Sequence, residues 1–204
     1  MDAHTHRAAS TPHVYVLSQE ELSANEVAAR LFCAGVHPWH VGDDRREEVR
    51  RWSQDPRCVA IGETGLDRLH PDWEKQLELF RWHWQLAEEV DKPLVLHVVR
   101  SSSDLMQLMK SRRPRTPWLW HDFTGPIEAI PRLLKLHPEL YFSCGPRFFG
   151  RPKAQELWQK LPPERRLLET DDSGVDIQSV YAAAGVSWSQ LKPNFTRLFP
   201  SMDV

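Results

Sequence analysis

Short, almost wholly apolar runs recur along the chain, and segments with apolar residues at three-to-four spacing separate most of them. Eight runs read as strands: 2–6, 13–17, 31–37, 58–63, 94–98, 118–121, 140–144 and 167–171. Several are apolar at nearly every position, the pattern of parallel strands covered on both faces. Between them, 18–30 opens with a capping-box pattern, Ser18 and Glu21, ahead of Leu22, Val27 and Leu31. Segment 73–90 carries Leu77, Phe80, Trp84, Ala87 and Val90 on one helical face. Segments 104–110, 131–136 and 152–161 predict shorter helices, and Pro131 suits a first helical turn. Beyond Asp171 the chain turns through Ser173 and Gly174 into segments 177–184 and 187–199. Pro193 interrupts the last of these and predicts a kink or a late start.

The alternation predicts an α/β fold, a (β/α)8 TIM-type barrel. The 204 residues lie near the lower limit of about 200 for such barrels. It is shortened, because only the six residues 7–12 separate the first two strands. A parallel return ordinarily takes a dozen or more. The first crossover helix is therefore missing, or the second strand pairs differently. With no internal repeat or linker, residues 1–204 read as a single domain.

Composition narrows the function. Hydrophobic residues make up 41% and charged residues 26%, enough for a packed core and unlike a disordered chain. A net charge of −2 argues against holding nucleic acid by bulk electrostatics. A phosphate-bearing substrate would be neutralised locally, by metal ions or a few arginines. Cys33, Cys58 and Cys144 are odd in number and lack CxxC spacing, as buried thiols of a reduced, cytoplasmic protein would be. Met1 leads straight into polar residues, and no run approaches the ~20 apolar residues of a membrane span. The expectation is a cytoplasmic monomer with no membrane partner.

Chemistry concentrates at the ends of the apolar runs. His4 and His6 sit two apart on the first strand, so their side chains share a face. Glu63 ends a run in VAIGETG, His97 in PLVLHVV, His121 in PWLWHDF and Asp171 in LLETDD. In parallel β/α barrels the carboxyl ends of the strands form one rim, so all six converge there. Imidazole with carboxylate suits Zn²⁺, Mn²⁺ or Fe²⁺ better than Ca²⁺. Six donors exceed the needs of one tetrahedral ion. They match a pair of ions about 3.5–4 Å apart, bridged by a carboxylate and a water that is thereby activated for hydrolysis. No nucleotide-cofactor glycine fingerprint competes with that reading.

One histidine at a strand end is ordinarily a structural hydrogen-bonder; the order of all six carries the argument. His13, His70, His83 and His137 lack a strand-end setting and read as surface or packing residues. His37, in GVHPWH with His40 just beyond, faces the rim and is a substrate-contact candidate. Trp84 and Trp158 fall in amphipathic patterns and belong in the core, whereas Trp39 stands at the rim, where it can stack a base.

At these residues the chain resembles the TatD family of metal-dependent deoxyribonucleases, within the amidohydrolase superfamily. The matching stretches are DAHTH (2–6), GVHP (35–38), AIGETGLD (60–67), KPLVLH followed by Arg100, HDFTG (121–125), YFSCG (141–145), LLETD (168–172) and NFTRLF (194–199). The resemblance implies a β/α barrel and hydrolysis of phosphodiester or related ester bonds with one or two divalent ions (Mg²⁺, Mn²⁺ or Zn²⁺). It also implies DNA or a small phosphoester as substrate. By the same resemblance His4, His6, Glu63 and Asp171 hold the first ion, and Glu63, His97 and His121 the second, with Glu63 bridging. Asp171 takes the proton from the metal-bound water, which makes Asp171 and Glu63 the catalytic pair. Arg100 grips phosphate through its planar donor fork, although it lies three residues past the histidine rather than the family's two.

Two departures bear on substrate. Arg7-Ala8-Ala9 stand where the family has leucine and aspartate after His-x-His, and the loop beyond the eighth strand is cut to a few residues around 172–174. Two other functions stay open on the sequence. One is a hydrolase of the same superfamily acting on an amide, lactone or small phosphate ester; the carboxylate at strand four, where many such enzymes use a carboxylated lysine, disfavours it. The other is a truncated, non-catalytic barrel, against which the complete ligand set stands.

Overall fold

The computed structural model describes residues 1–8 and 11–200. Eight strands form one sheet in sequential order: β1 (Asp2–Thr5), β2 (His13–Val16), β3 (Phe32–Ala34), β4 (Cys58–Asp67), β5 (Leu94–Val99), β6 (Trp118–Trp120), β7 (Leu140–Cys144) and β8 (Arg166–Leu168). Every neighbouring pair is parallel. The sheet curls until its last strand meets its first through a bridge between Thr5 and Asp171. There the Asp171 amide donates to the His4 carbonyl at 3.0 Å, and the His6 amide donates to the Asp171 carbonyl at 3.2 Å. The Asp2 carboxylate reinforces this seam by accepting from the Thr170 amide at 3.1 Å and its hydroxyl at 2.6 Å. Closure thus falls at the carboxyl ends of β1 and β8, where His4, His6 and Asp171 sit.

The link between β1 and β2 bears out the missing crossover helix. The two strands pair in parallel, Asp2 opposite His13 and Thr5 opposite Tyr15, with no crossover helix among the described residues. Ala9 and Ser10 of this link lie outside the described residues. The short return works because β1 is only 4 residues long. Running back along it takes roughly 13 Å at ~3.3 Å per residue, within reach of a few extended residues.

The barrel interior takes one apolar residue or more from each strand: Ala3, Val14, Val16, Cys33, Ala60, Val95, Leu119, Tyr141 and Leu167 are all buried together. Phe195, Leu198 and Phe199, from the last helix, join that cluster and plug the amino-terminal end. The other face of the sheet packs against helices α1 (Gln19–Leu22), α2 (Arg46–Ser53), α3 (Trp73–Glu89), α4 (Ser102–Ser111), α5 (Ile130–Leu136), α6 (Pro146–Phe149), α7 (Ala154–Lys160), α8 (Ile177–Ala184) and α9 (Trp188–Leu198). Three buried free thiols, Cys33, Cys58 and Cys144, follow from their places in strands. No helix is long and apolar enough to cross a membrane, among the described residues.

Several boundaries differ from the sequence reading. The Ser18–Glu21 capping box forms, with the Glu21 amide donating to Ser18 at 3.2 Å and the Ser18 amide donating to Glu21 at 2.8 Å. The helix nonetheless stops at Leu22, its only buried residue. Ser23 and Asn25 follow, residues whose side chains compete with helical hydrogen bonding. Helix α9 runs through Pro193 without breaking, started by a second capping box between Ser187 and Gln190. Strand β4 continues past Glu63 to Asp67, buried at all 10 positions.

Candidate metal centre

Glu63 is the hub. Its β4 position is possible because two flanking residues are glycine. A Cβ on Gly65 would stand 1.8 Å from the His97 carbonyl oxygen, and one on Gly62 would stand 2.5 Å from that of Val95. Both have positive φ, +134° at Gly62 and +156° at Gly65. Strand β4 therefore presses against β5 as no other residue type would allow. The Glu63 side chain points into the rim, only 2% exposed.

Five imidazoles surround that carboxylate. Its Oε1 lies 2.7 Å from His121 Nε2, 2.9 Å from His97 Nδ1 and 3.1 Å from His37 Nε2. Its Oε2 lies 3.1 Å from His6 Nε2 and 3.3 Å from His4 Nε2. Asp171 faces the same space, with Oδ1 3.6 Å from His6 Nε2 and 3.8 Å from His4 Nε2. All six residues singled out from the strand ends thus meet in one place, and His37 joins them.

The tautomer of His37 follows from its contacts. Its Nδ1 accepts from the Trp39 amide at 3.2 Å, so its proton sits on Nε2 and is donated toward Glu63. Burial would raise the Glu63 carboxyl, but its contacts with His121 and His37 outweigh it and hold it well below the ordinary value. Burial would lower His121, yet Glu63 and Glu169 carry it well above the usual imidazole range. His6 is raised in the same way, its burial outweighed by Glu63 and Asp171. His37 goes the other way because its burial prevails over Glu63.

Two carboxylates that the sequence reading left without roles orient the imidazoles from behind. Asp67 Oδ2 lies 3.3 Å from His97 Nε2, and Glu169 Oε1 lies 3.5 Å from His121 Nδ1. Each imidazole is held by a carboxylate on one nitrogen and offers the other to the centre, the support that metal-ligating histidines ordinarily have. Spacing carried a signal for both. Asp67 is four residues beyond Glu63 on one strand, and Glu169 two before Asp171.

The donors fit a divalent ion. Three overlapping groups have ligand atoms all within 4.8 Å of one another: His4, Glu63 and His121; His4, His6 and Asp171; His37, Glu63 and His97. Buried His4 has no hydrogen-bond partner on either ring nitrogen. Buried nitrogens left this way are costly and point to a cation as the missing partner. Mixed imidazole and carboxylate donors suit a transition ion or Zn²⁺.

The centre opens into a cleft of about 460 Å³, within the range of small-ligand sites. Its walls include Gln19, Trp39, His40, Leu69, Thr124, Arg147 and Asp172. Arg100 is not among the lining residues; it is exposed, with φ at 50° just past β5. The arginine in the cleft is Arg147, on the short helix after β7. It donates to Asp122 at 3.1 Å and Asp172 at 3.2 Å, and lies 3.5 Å from Asp171. No strand-end signal marks it, since it follows β7 in a turn, GPRFF, that carries no metal donor. His70, read as a surface or packing residue, stacks on Trp39, while His83 and His137 are buried packing residues.

A parallel barrel with imidazole and carboxylate donors gathered at its carboxyl rim is the architecture of metal-dependent hydrolases. Residues 8–174 match the TatD related DNase family model, and the chain belongs to that family. The match begins after His4 and His6, so the centre's first two histidines are placed by the fold rather than by the match.

Relatives agree. The chain is 33% identical over 145 residues to the uncharacterized metal-dependent hydrolase YabD of Bacillus subtilis, covering 65% of this chain and 56% of that protein. It is 30% identical over 145 residues to the uncharacterized metal-dependent hydrolase YcfH of Escherichia coli K12, covering 69% and 55%. It is also 30% identical over 161 residues to the human 3'-5' RNA nuclease TATDN2, covering 74% of this chain and 21% of that protein. The chain spans about half the length of the bacterial relatives it matches. The crystal structure of YJJV, a TatD homolog from Escherichia coli K12, superposes with a TM-score of 0.76 at 23% identity, covering 92% of this chain and 86% of that one, which shows the shared fold.

Proposed function

We propose that this chain is a divalent-metal-dependent phosphodiesterase acting on the accessible ends of nucleic acid, DNA first. The observation that carries the reading is Glu63, one buried carboxylate with each oxygen turned to a different set of imidazoles. One set, His4, His6 and Asp171 with Glu63, would hold a first ion; His97 and His121, again with Glu63, would hold a second. His37, which carries its proton on Nε2, is close enough to meet substrate. An ion so held supplies a hydrolytic nucleophile near neutral pH and offsets charge on the oxygens entering and leaving a phosphoryl group.

The chain's own residues supply the rest. Asp171 lines the cleft beside the donors and accepts a proton there. His37 donates from Nε2 into the same space. The 3'-5' RNA nuclease in the matched set supports phosphodiester bonds as the target, and a cleft of this volume takes a terminal nucleotide rather than a duplex. The test is hydrolysis of end-labelled single-stranded DNA by metal-stripped protein refilled with Mg²⁺ or Mn²⁺, run beside an amide and a lactone. Turnover of DNA alone is the expected result. Turnover of an amide or lactone alone would transfer the reading to another amidohydrolase-superfamily activity.

Arg147 takes the phosphate-gripping role that the resemblance gave to Arg100. Its guanidinium is already oriented by Asp122 and Asp172 and stands in the cleft. Arg147→Ala is expected to raise KM for bis-p-nitrophenyl phosphate about tenfold, the loss of one charge-assisted hydrogen bond of ~1.5 kcal/mol or more. Arg100→Ala should leave KM within a factor of two, and steady-state kinetics on the two variants separates the assignments.

A further inference from the structure

We propose that Trp39 and Leu69 form a shelf that receives the terminal base of the substrate, a specificity subsite; this rests on the phosphodiesterase reading above. Among the described residues the exposed large hydrophobic side chains are Trp39, Leu69 and Val175. Two of the three line the cleft. Trp39 is 53% exposed and Leu69 60%. Apolar surface in water is unfavourable, and gathered at the mouth of a cleft it marks a place where something apolar docks.

The shelf is built and held. The Trp39 indole N–H donates to Asp67 Oδ2 at 2.8 Å, and its ring stacks on His70 at 4.5 Å and 16°. The Leu69 amide donates to Asp67 Oδ1, also at 2.8 Å. A third contact of the same carboxylate, 3.3 Å, reaches His97 in the donor cluster. One buried aspartate therefore fixes both exposed side chains and orients a candidate ligand. A side chain exposed only by accident would have no such anchorage.

Geometry selects the occupant. The indole centroid is 4.7 Å from the His37 ring and 5.9 Å from the His97 ring. A group on the shelf thus adjoins one at the donors. The occupant must be flat, to lie on an indole, and tied by a short arm to an anionic ester. A nucleobase meets both conditions, and stacking suits any base because each has a π face. A small aliphatic phosphate ester would leave the shelf wet.

The test uses wild-type protein loaded with Mn²⁺ and two ligands without a phosphodiester bond to cut, deoxyadenosine 5′-monophosphate and 2-deoxyribose 5-phosphate, titrated calorimetrically. The mononucleotide is expected to bind about 5- to 100-fold more tightly, the worth of one base–aromatic stack of ~1–3 kcal/mol. Trp39→Ala should erase that preference, the two ligands then binding with equal affinity. Trp39→Phe, which keeps a π face, should restore most of it. Equal affinities in the wild type, or a preference that survives Trp39→Ala, would overturn the shelf and leave the phosphodiesterase reading standing. If neither ligand binds a protein shown to retain Mn²⁺, the phosphodiesterase reading falls and takes the shelf with it.

Discussion

A Glu63→Gln protein is expected to bind divalent metal at least ~100-fold more weakly than the wild type. Loss of a carboxylate that merely supports a ligand from outside costs 10–100-fold, and Glu63 lies at the centre, touching five imidazoles with its two oxygens. Glutamine keeps the shape and removes the charge. A clean readout is thermal: a ligand at 100 times its Kd stabilises a protein by ~2.7 kcal/mol, and at its Kd by only ~0.4. For a chain of this size each kcal/mol moves Tm by about 2–4 °C. At the Mn²⁺ concentration that raises the wild-type Tm by roughly 5–10 °C, the variant should therefore move by less than about 2 °C. Hydrolysis should fall at least as far as affinity. Equal Mn²⁺-induced shifts would remove Glu63 from the centre and the shared-carboxylate argument with it.

The donors were readable because a strand displays its chemistry through local rules. An apolar run that ends in His, Glu or Asp says both that the residue is at a strand terminus and that the terminus is at the rim, so Glu63, His97, His121 and Asp171 needed no tertiary knowledge. What escaped was set by contacts between distant segments. Arg147 enters the cleft because Asp122 and Asp172, from the turns after β6 and β8, hold it there; no spacing within 146–149 encodes that. Arg100, by contrast, follows a candidate ligand in sequence but does not line the cleft, its backbone left-handed at φ 50°. The boundary errors have the same origin. The capping box of α1 was legible, but the end of that helix depends on which side chains find a surface to bury against, and only Leu22 does.

Backbone conformation adds a link between fold and site. Asp122 and Asp171 both follow strands at the rim with positive φ, 38° and 53°. Aspartate tolerates that region better than most residues, yet holding it there still costs stability. The cost is offset by what surrounds each: the Asp122 amide donates to Glu169, and the Asp171 amide and carbonyl both pair with β1. Strain at these two positions turns the side chains toward Arg147 and the donors rather than along their strands.

Acid is expected to cost the protein about 3 kcal/mol through His83 alone. That ring is completely buried; its Nδ1 donates to the Leu79 carbonyl at 2.8 Å and its Nε2 accepts from the Val36 amide at 3.1 Å. Burial pushes its pKa down to about 4 from the ordinary 6.5. The folded state thus binds fewer protons than the unfolded chain between those values, so stability falls as pH drops from 6.5 toward 4 and changes no further below it. Integrated over that window at 1.36 kcal/mol per unit, the loss is the figure given. Protonation would also turn Nε2 from acceptor to donor and leave the Val36 amide unpaired, just before His37. His137, likewise lowered to about 4 by burial, acts in the same direction. His6 and His121, raised in the metal-free protein, act oppositely, as does Asp2, raised by burial to about 7. Total stability against pH therefore mixes signs, and the informative quantity is the difference between the wild type and His83→Gln, which keeps an acceptor and cannot titrate. Urea denaturation of both at pH 7.5 and pH 4.5 should show the wild type losing about 2–3 kcal/mol more than the variant over that interval. Parallel losses would mean that His83 is protonated without penalty, and that its ring does not hold Val36 as the hydrogen bonds require.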